Sequence, residues 1–233
     1  MRNALPILLS LFLFTACRNI SGSGNIVTEK RNTGNFTGID AGGAYDVELK
    51  AGPEAKVEVE ADDNIQQYIE TNVSGDVLEI STRGRSNFRN SHIKIFVTAS
   101  EIKLLKVSGA ASINAVTTIK APDKIRLEAS GAAHINVMID APTISSHASG
   151  AANIEISGRT RNHNTHASGS ADIRAYQLLS ENTEAEASGA ANIKVHASVL
   201  LDATASGAAD ISYKGGAVVK EHVSGAASIK KQE

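Results

Sequence analysis

One six-residue pattern recurs seven times from Ser108 onward and leaves few folds open. The copies begin at Ser108, Ser130, Ser149, Ser168, Ser188, Ser206 and Ser224, and each reads Ser-Gly-Ala-Ala-x-Ile, with Ser170 replacing one Ala. Successive copies start 22, 19, 19, 20, 18 and 18 residues apart. A period near twenty marks a solenoid, in which each unit buries its apolar side only against its neighbours.

The unit is written for strands. Apolar residues alternate through Ile125, Leu127 and Ala129, and again through Leu201, Ala203 and Ala205. The same phase runs on into the motif, with Gly109, Ala111 and Ile113 on one side and Ser108, Ala110, Ser112 and Asn114 on the other. Period two means a strand with one buried face. Arg126, Glu128, Glu155, Arg174, Lys194, Asp202 and Thr204 fall on the outward phase. Strands recurring in one sense every twenty residues stack as parallel rungs, each about 4.8 Å above the last. The reading is all-β: a single-stranded parallel β-helix over residues 101–233. Ile113, Ile135, Ile154, Ile173, Ile193, Ile211 and Ile229 form its inner ladder. Composition agrees, since aromatics make up only 4% and Trp is absent, so a narrow interior must be filled by small side chains.

Residues 25–100 are related but less regular. Alternating runs at 44–50, 56–60, 77–82 and 92–99 suggest a strand-rich cap. Asp62 and Asp63 stand as N-cap residues before Ile65, Tyr68 and Ile69, which predicts one short helix. At the other end Lys230 and Lys231 bring charge that discourages edge-to-edge growth.

The first residues carry an address. Arg2 precedes an apolar run over 4–14, too short to span a bilayer, and Thr15-Ala16 leads to Cys17, the only cysteine. This resembles a bacterial lipobox, with Phe14 where that motif usually has Leu. It predicts a signal peptide over 1–16, lipidation at Cys17 and a flexible tether over 17–24. The expected location is the cell envelope, at the outer membrane or facing the periplasm, held to the membrane by lipid. Basic and acidic residues number 23 and 25 and are well mixed, so nucleic acid is not an expected partner.

Three constellations bear on chemistry. Two residues before each motif Ser, the outward column reads Lys106, Glu128, His147, His166, Glu186, Thr204 and His222. No metal or other cofactor is assigned, but Glu128, His147, His166 and Glu186 are the residues that could ligate Zn²⁺ or Cu²⁺, because one-rung spacing lets neighbouring side chains converge. The bland alternative is an exposed polar column. The position before each Ile reads Ser112, His134, Asn153, Asp172, Asn192, Asp210 and Ser228. Asp172 and Asp210, about two rungs or 9–10 Å apart, overlap the spacing of an inverting glycosidase pair. The dispersed carboxylates read better as a solvated ladder, and no catalytic residue is assigned. Of the aromatics after Cys17, only Tyr176 and Tyr213 lie within the repeats, so no aromatic stripe offers itself to sugars.

Phe36-Thr37-Gly38-Ile39, then Gly43-Ala44-Tyr45-Asp46-Val47, the Ala61-Asp62-Asp63-Asn64 step and the tandem motif together resemble the putative auto-transporter adhesin, head GIN domain family, over about residues 25–230. That resemblance implies a right-handed parallel β-helix in bacterial envelope lipoproteins. The expected function is a non-catalytic, adhesin-like scaffold or binding module for a glycan or envelope protein. The alternative is a pectinase-like β-helix enzyme acting on polysaccharide.

Overall fold

The computed structural model describes residues 18–84 and 86–233; Cys17 and the segment before it lie outside the described residues. The repeats pair as parallel rungs that hold register at the motif, with one shift between Glu155 and Ser157. Ile113 stands against Ile135, Ile135 against Ile154, Ile154 against Ile173, Ile173 against Ile193, Ile193 against Ile211, and Ile211 against Ile229. The first six are buried and Ile229, on the last rung, is partly buried. Two runs of parallel strands meet at each motif. The strand before it, such as Lys124–Ala129 or Thr143–Ala148, makes the first face. The strand after it, such as His134–Asp140 or Asn192–His196, makes the second.

The motif glycine does not point inward as the alternation suggests. From Gly109 to Gly225 the seven glycines are at φ between 73° and 77°, and they sit in an exposed turn that joins the two faces. The period-two pattern is interrupted there and resumes in phase at the following Ala, so sequence parity alone hides the corner. Glycine is required for two reasons. Positive φ is unfavourable for other residues. A Cβ on any of these seven would also come within 2.6–3.0 Å of the carbonyl oxygen of the glycine one rung below. The ladder of backbone hydrogen bonds runs through the corner, as in Ala151 N–H to Gly131 O at 2.8 Å and Ser170 N–H to Gly150 O at 2.7 Å.

The solenoid begins before the first full motif. Strands Gly38–Gly43 and Asp46–Ala51 pair with Leu104–Gly109 and Ser112–Ala115, setting Gly43 against Gly109 and Val47 against Ile113. Gly43-Ala44-Tyr45-Asp46-Val47 is therefore a divergent coil of the same repeat. Tyr45 takes the place of the small Ala111; it is buried and its hydroxyl bonds Thr82 Oγ1. Residues 52–101 leave this coil, build the cap on its far side and return to lay down the next rung. In the cap, Ile93–Ala99 extends the second face in parallel, and Lys56–Asp62 and then Ile26–Arg31 add antiparallel. The Ile ladder thereby continues through Val47, Ile95 and Val59, all at 1% exposure or less.

The short helix is a single 3-10 turn, Gln66–Tyr68, without a side-chain cap. Its buried Gln66 instead crosslinks the cap strands: the amide nitrogen donates to Val27 O at 2.9 Å and Val59 O at 2.8 Å, and the amide oxygen accepts from Arg31 at 2.7 Å. Asp62 caps no helix. It is 1% exposed and accepts the backbone N–H groups of Gly24 at 2.7 Å and His92 at 2.8 Å. Residues 18–24, expected as a flexible tether, are pinned by these contacts and by a parallel strand pair, Arg18–Ser21 with Ser86–Arg89. Among the described residues no helix is long and apolar enough to cross a membrane.

Candidate functional site

The outward column of the first face forms as the repeat dictates. Register places Glu128 against His147, His147 against His166, and His166 against Glu186, so four successive rungs bring the four candidate ligands side by side. Their interactions divide them. Glu128 is held by Arg126, its neighbour on the same strand, at 2.5 Å. Lys106, one rung below, is engaged by Asp40 at 2.7 Å, and that carboxylate raises the lysine pKa. His147 and His166 stack with ring centroids 4.7 Å apart and planes within 5° of parallel. His166 Nδ1 lies 3.2 Å from Glu186 Oε2. Partial burial, and then the neighbouring His166, lower the His147 pKa. A shallow depression of about 220 Å³ lies over these side chains, with Ser145, Asn164 and Glu184 beside it. A second of about 450 Å³ continues along the same face across Thr143, Asn162, Asn182 and Asp202. No group of three or more His, Cys, Asp or Glu side chains converges on a metal-sized point among the described residues.

Asp172 and Asp210 stand two rungs apart with Asn192 between them. Each is tied to a neighbour: Asp172 to Arg174 at 3.6 Å, and Asp210 as acceptor from Ser228 Oγ. The column is a surface ladder of polar contacts, lengthened at its base by Asp46, which accepts from Ser112 Oγ at 2.7 Å. The aromatics do not line a platform. Phe36, Tyr45 and Tyr213 are buried, Tyr68 packs near Phe88 with centroids 6.3 Å apart, and Tyr176 lies under Lys214.

One functional-type residue is not singled out by motif or spacing. His163 occupies an inward position between Ile144 and Thr183, 1% exposed, with Nε2 3.0 Å from Ser146 Oγ. Ser146 in turn donates to Thr165 Oγ1 at 2.9 Å. Burial lowers the His163 pKa to about 4. The signal was present in parity, since His163 and Thr165 share the phase of buried Ala167. The polar identity of the residues conceals it.

The fold defines a class: a parallel β-helix with bonded polar ladders on its outside and an antiparallel cap. The family model described as putative auto-transporter adhesin, head GIN domain, matches residues 35–217, and the chain belongs to that family. A putative adhesin of Bacteroides fragilis has a TM-score of 0.85 at 21% identity, over 91% of this chain and all of the other. A protein of Parabacteroides distasonis described as a putative lipid binding protein gives 0.76 at 22%, over 93% of this chain and all of its own. A putative adhesin of Parabacteroides merdae gives 0.74 at 19%, over 93% of this chain and again all of its own. Comparison with curated proteins finds no match. At these identities the solved structures establish the fold.

Proposed function

We propose that the protein is a non-catalytic, adhesin-like binding module, tethered to the bacterial envelope by lipid at Cys17, that engages a glycan or protein partner along its first face. The observation that carries this reading is the continuous outward field of His, Asn, Ser, Thr and carboxylate side chains held in register from rung to rung. Such a field offers many donors and acceptors at a fixed spacing, which suits an extended partner better than a small substrate. The candidate acid pair is bonded to neighbours rather than aimed across a cleft, so an inverting hydrolysis has no support from its geometry. The family's adhesin description agrees with an envelope location.

The test has two arms. Metabolic labelling with a radioactive fatty acid should mark the wild-type chain and not Cys17→Ala, and the variant should leave the membrane fraction. The soluble domain, residues 18–233, should retain partners on a glycan array or from envelope extracts, with loss on Asn164→Ala/Asn182→Ala. Shortening of any captured polysaccharide would overturn the non-catalytic reading.

A further inference from the structure

The structure separates the four polar side chains of the first-face column into two that are occupied and two that are available. Glu128 is neutralised by Arg126. Glu186 receives the Nδ1–H of His166. What remains is a pair of imidazoles on adjacent rungs, stacked in parallel at 4.7 Å at the edge of a solvent-open depression. Among the described residues, neither ring nitrogen of His147 nor Nε2 of His166 makes a hydrogen bond.

We propose that His147 and His166 form a two-histidine site for a borderline transition-metal dication, Cu²⁺ or Zn²⁺, with Glu186 as a positioning residue. Imidazole nitrogen suits both ions. A Zn–N bond of about 2.0–2.1 Å in tetrahedral geometry needs two nitrogens about 3.4 Å apart. In the stacked arrangement the in-plane lone pairs run side by side, so ligating one ion requires both rings to swing about their side-chain torsions until two nitrogens converge, a rotation that the one-rung spacing allows with no movement of the sheet. The parallel ladder beneath them fixes both Cα atoms, so only the two side chains have to rearrange on binding.

The Glu186 contact strengthens the assignment. A histidine that ligates a metal through one nitrogen commonly donates its other N–H to a carboxylate, which fixes the tautomer and raises the basicity of the ligating nitrogen. In this column the carboxylate is already on Nδ1, leaving Nε2 as the lone-pair nitrogen. Two protein donors leave coordination positions open for water or for an oxygen of a bound partner. The site does not depend on the binding-module reading; it stands on the two rings alone.

The test uses tag-free protein, residues 18–233, titrated with CuCl₂ and with ZnCl₂ by calorimetry, and with Cu²⁺ followed by electron paramagnetic resonance. One ion per chain is expected, copper tighter than zinc, with nitrogen hyperfine structure from two imidazoles. His147→Ala and His166→Ala should each weaken binding at least tenfold and reduce the nitrogen count to one. Glu186→Gln should weaken it about tenfold while keeping both nitrogens. His222→Ala, on the same column but three rungs from His166, should change nothing and reports on non-specific histidine binding. Equal loss in all three histidine variants, or unchanged affinity without His147 and His166, overturns the proposal. Circular dichroism of each variant separates loss of the site from loss of the fold.

Discussion

Inside the coil, His163 Nε2 lies 3.0 Å from Ser146 Oγ, one rung apart, in a column that runs Ile125, Ile144, His163, Thr183 and Leu201. The ring is neutral there because burial opposes its charge and brings the pKa from 6.5 to about 4. An unfolded chain binds this proton below about pH 6.5 and the folded one does so only near pH 4. Between those values the unfolded state holds more protons, so stability falls as pH is lowered through that window. A shift of this size corresponds to about 3 kcal/mol. We expect urea midpoints to drop from pH 7 to pH 4.5 in the wild type. The slope should be much flatter in His163→Leu, which extends the aliphatic run of Ile125 and Ile144 by one rung.

The corner glycines predict a sharper contrast. Gly169 is at φ 74°, and a Cβ there would lie 2.9 Å from Gly150 O. Gly169→Ala adds left-handed strain of about 1–2 kcal/mol to a clash with backbone that cannot step aside. A total loss of about 2–4 kcal/mol is expected, at the upper end of single-site effects. Gly216 has open space around its would-be Cβ and no positive φ, so Gly216→Ala should be neutral or slightly stabilising. Thermal melts of the two variants side by side check this.

These residues also show what the sequence made legible. The Ile ladder could be read from spacing, because one large side chain per period has only one place to go in a narrow coil. The outward column was equally plain, since parity assigns its direction. The corner was not, because Gly131 falls on the inward parity while its backbone turns away. Nor was the first coil: Tyr45 stands where other copies carry Ala, and the insertion of 52–101 separates it from its neighbour by more than two periods. Pairing across that gap is a tertiary fact. Likewise Asp62 looks like a helix cap by local pattern, but its partners are Gly24 and His92, far along the chain. The division of the His/Glu column into paired and unpaired members depends on Arg126, whose side-chain direction no spacing rule sets.

Asp62 gives a test of the cap. Two backbone N–H groups converge on its buried carboxylate, and the bond from His92 contributes most to holding its pKa below the usual range. Asp62→Ala leaves both donors without their acceptor, at a cost of about 1–3 kcal/mol. Amide hydrogen exchange should speed up at Gly24, His92 and along residues 18–21, with the rungs beyond Ile135 unaffected. Uniform acceleration through the whole chain would mean that cap and coil open as one unit.

The last rung carries a charge where a charge does not belong. The inward column that contains Leu127, Ser146, Thr165, Ala185 and Ala203 reaches Glu221 on strand Val218–Val223. That strand pairs on one side only among the described residues, and its Val218 and Val223 are 70% and 50% exposed. An unpaired, partly apolar edge invites a second copy, and an inward charge is one way to discourage it. If two copies met across a two-fold axis with inner faces matched, the two registers of greatest overlap would set Lys220 against Lys220 or Glu221 against Glu221. Both are repulsive. Glu221→Val removes one barrier and extends the apolar column by one residue, so sedimentation should show concentration-dependent dimers that the wild type lacks. Adding Lys220→Thr should strengthen them, because it relieves the other register. A double variant that stays monomeric would show that the geometry of the open rung, rather than its charge, keeps copies apart.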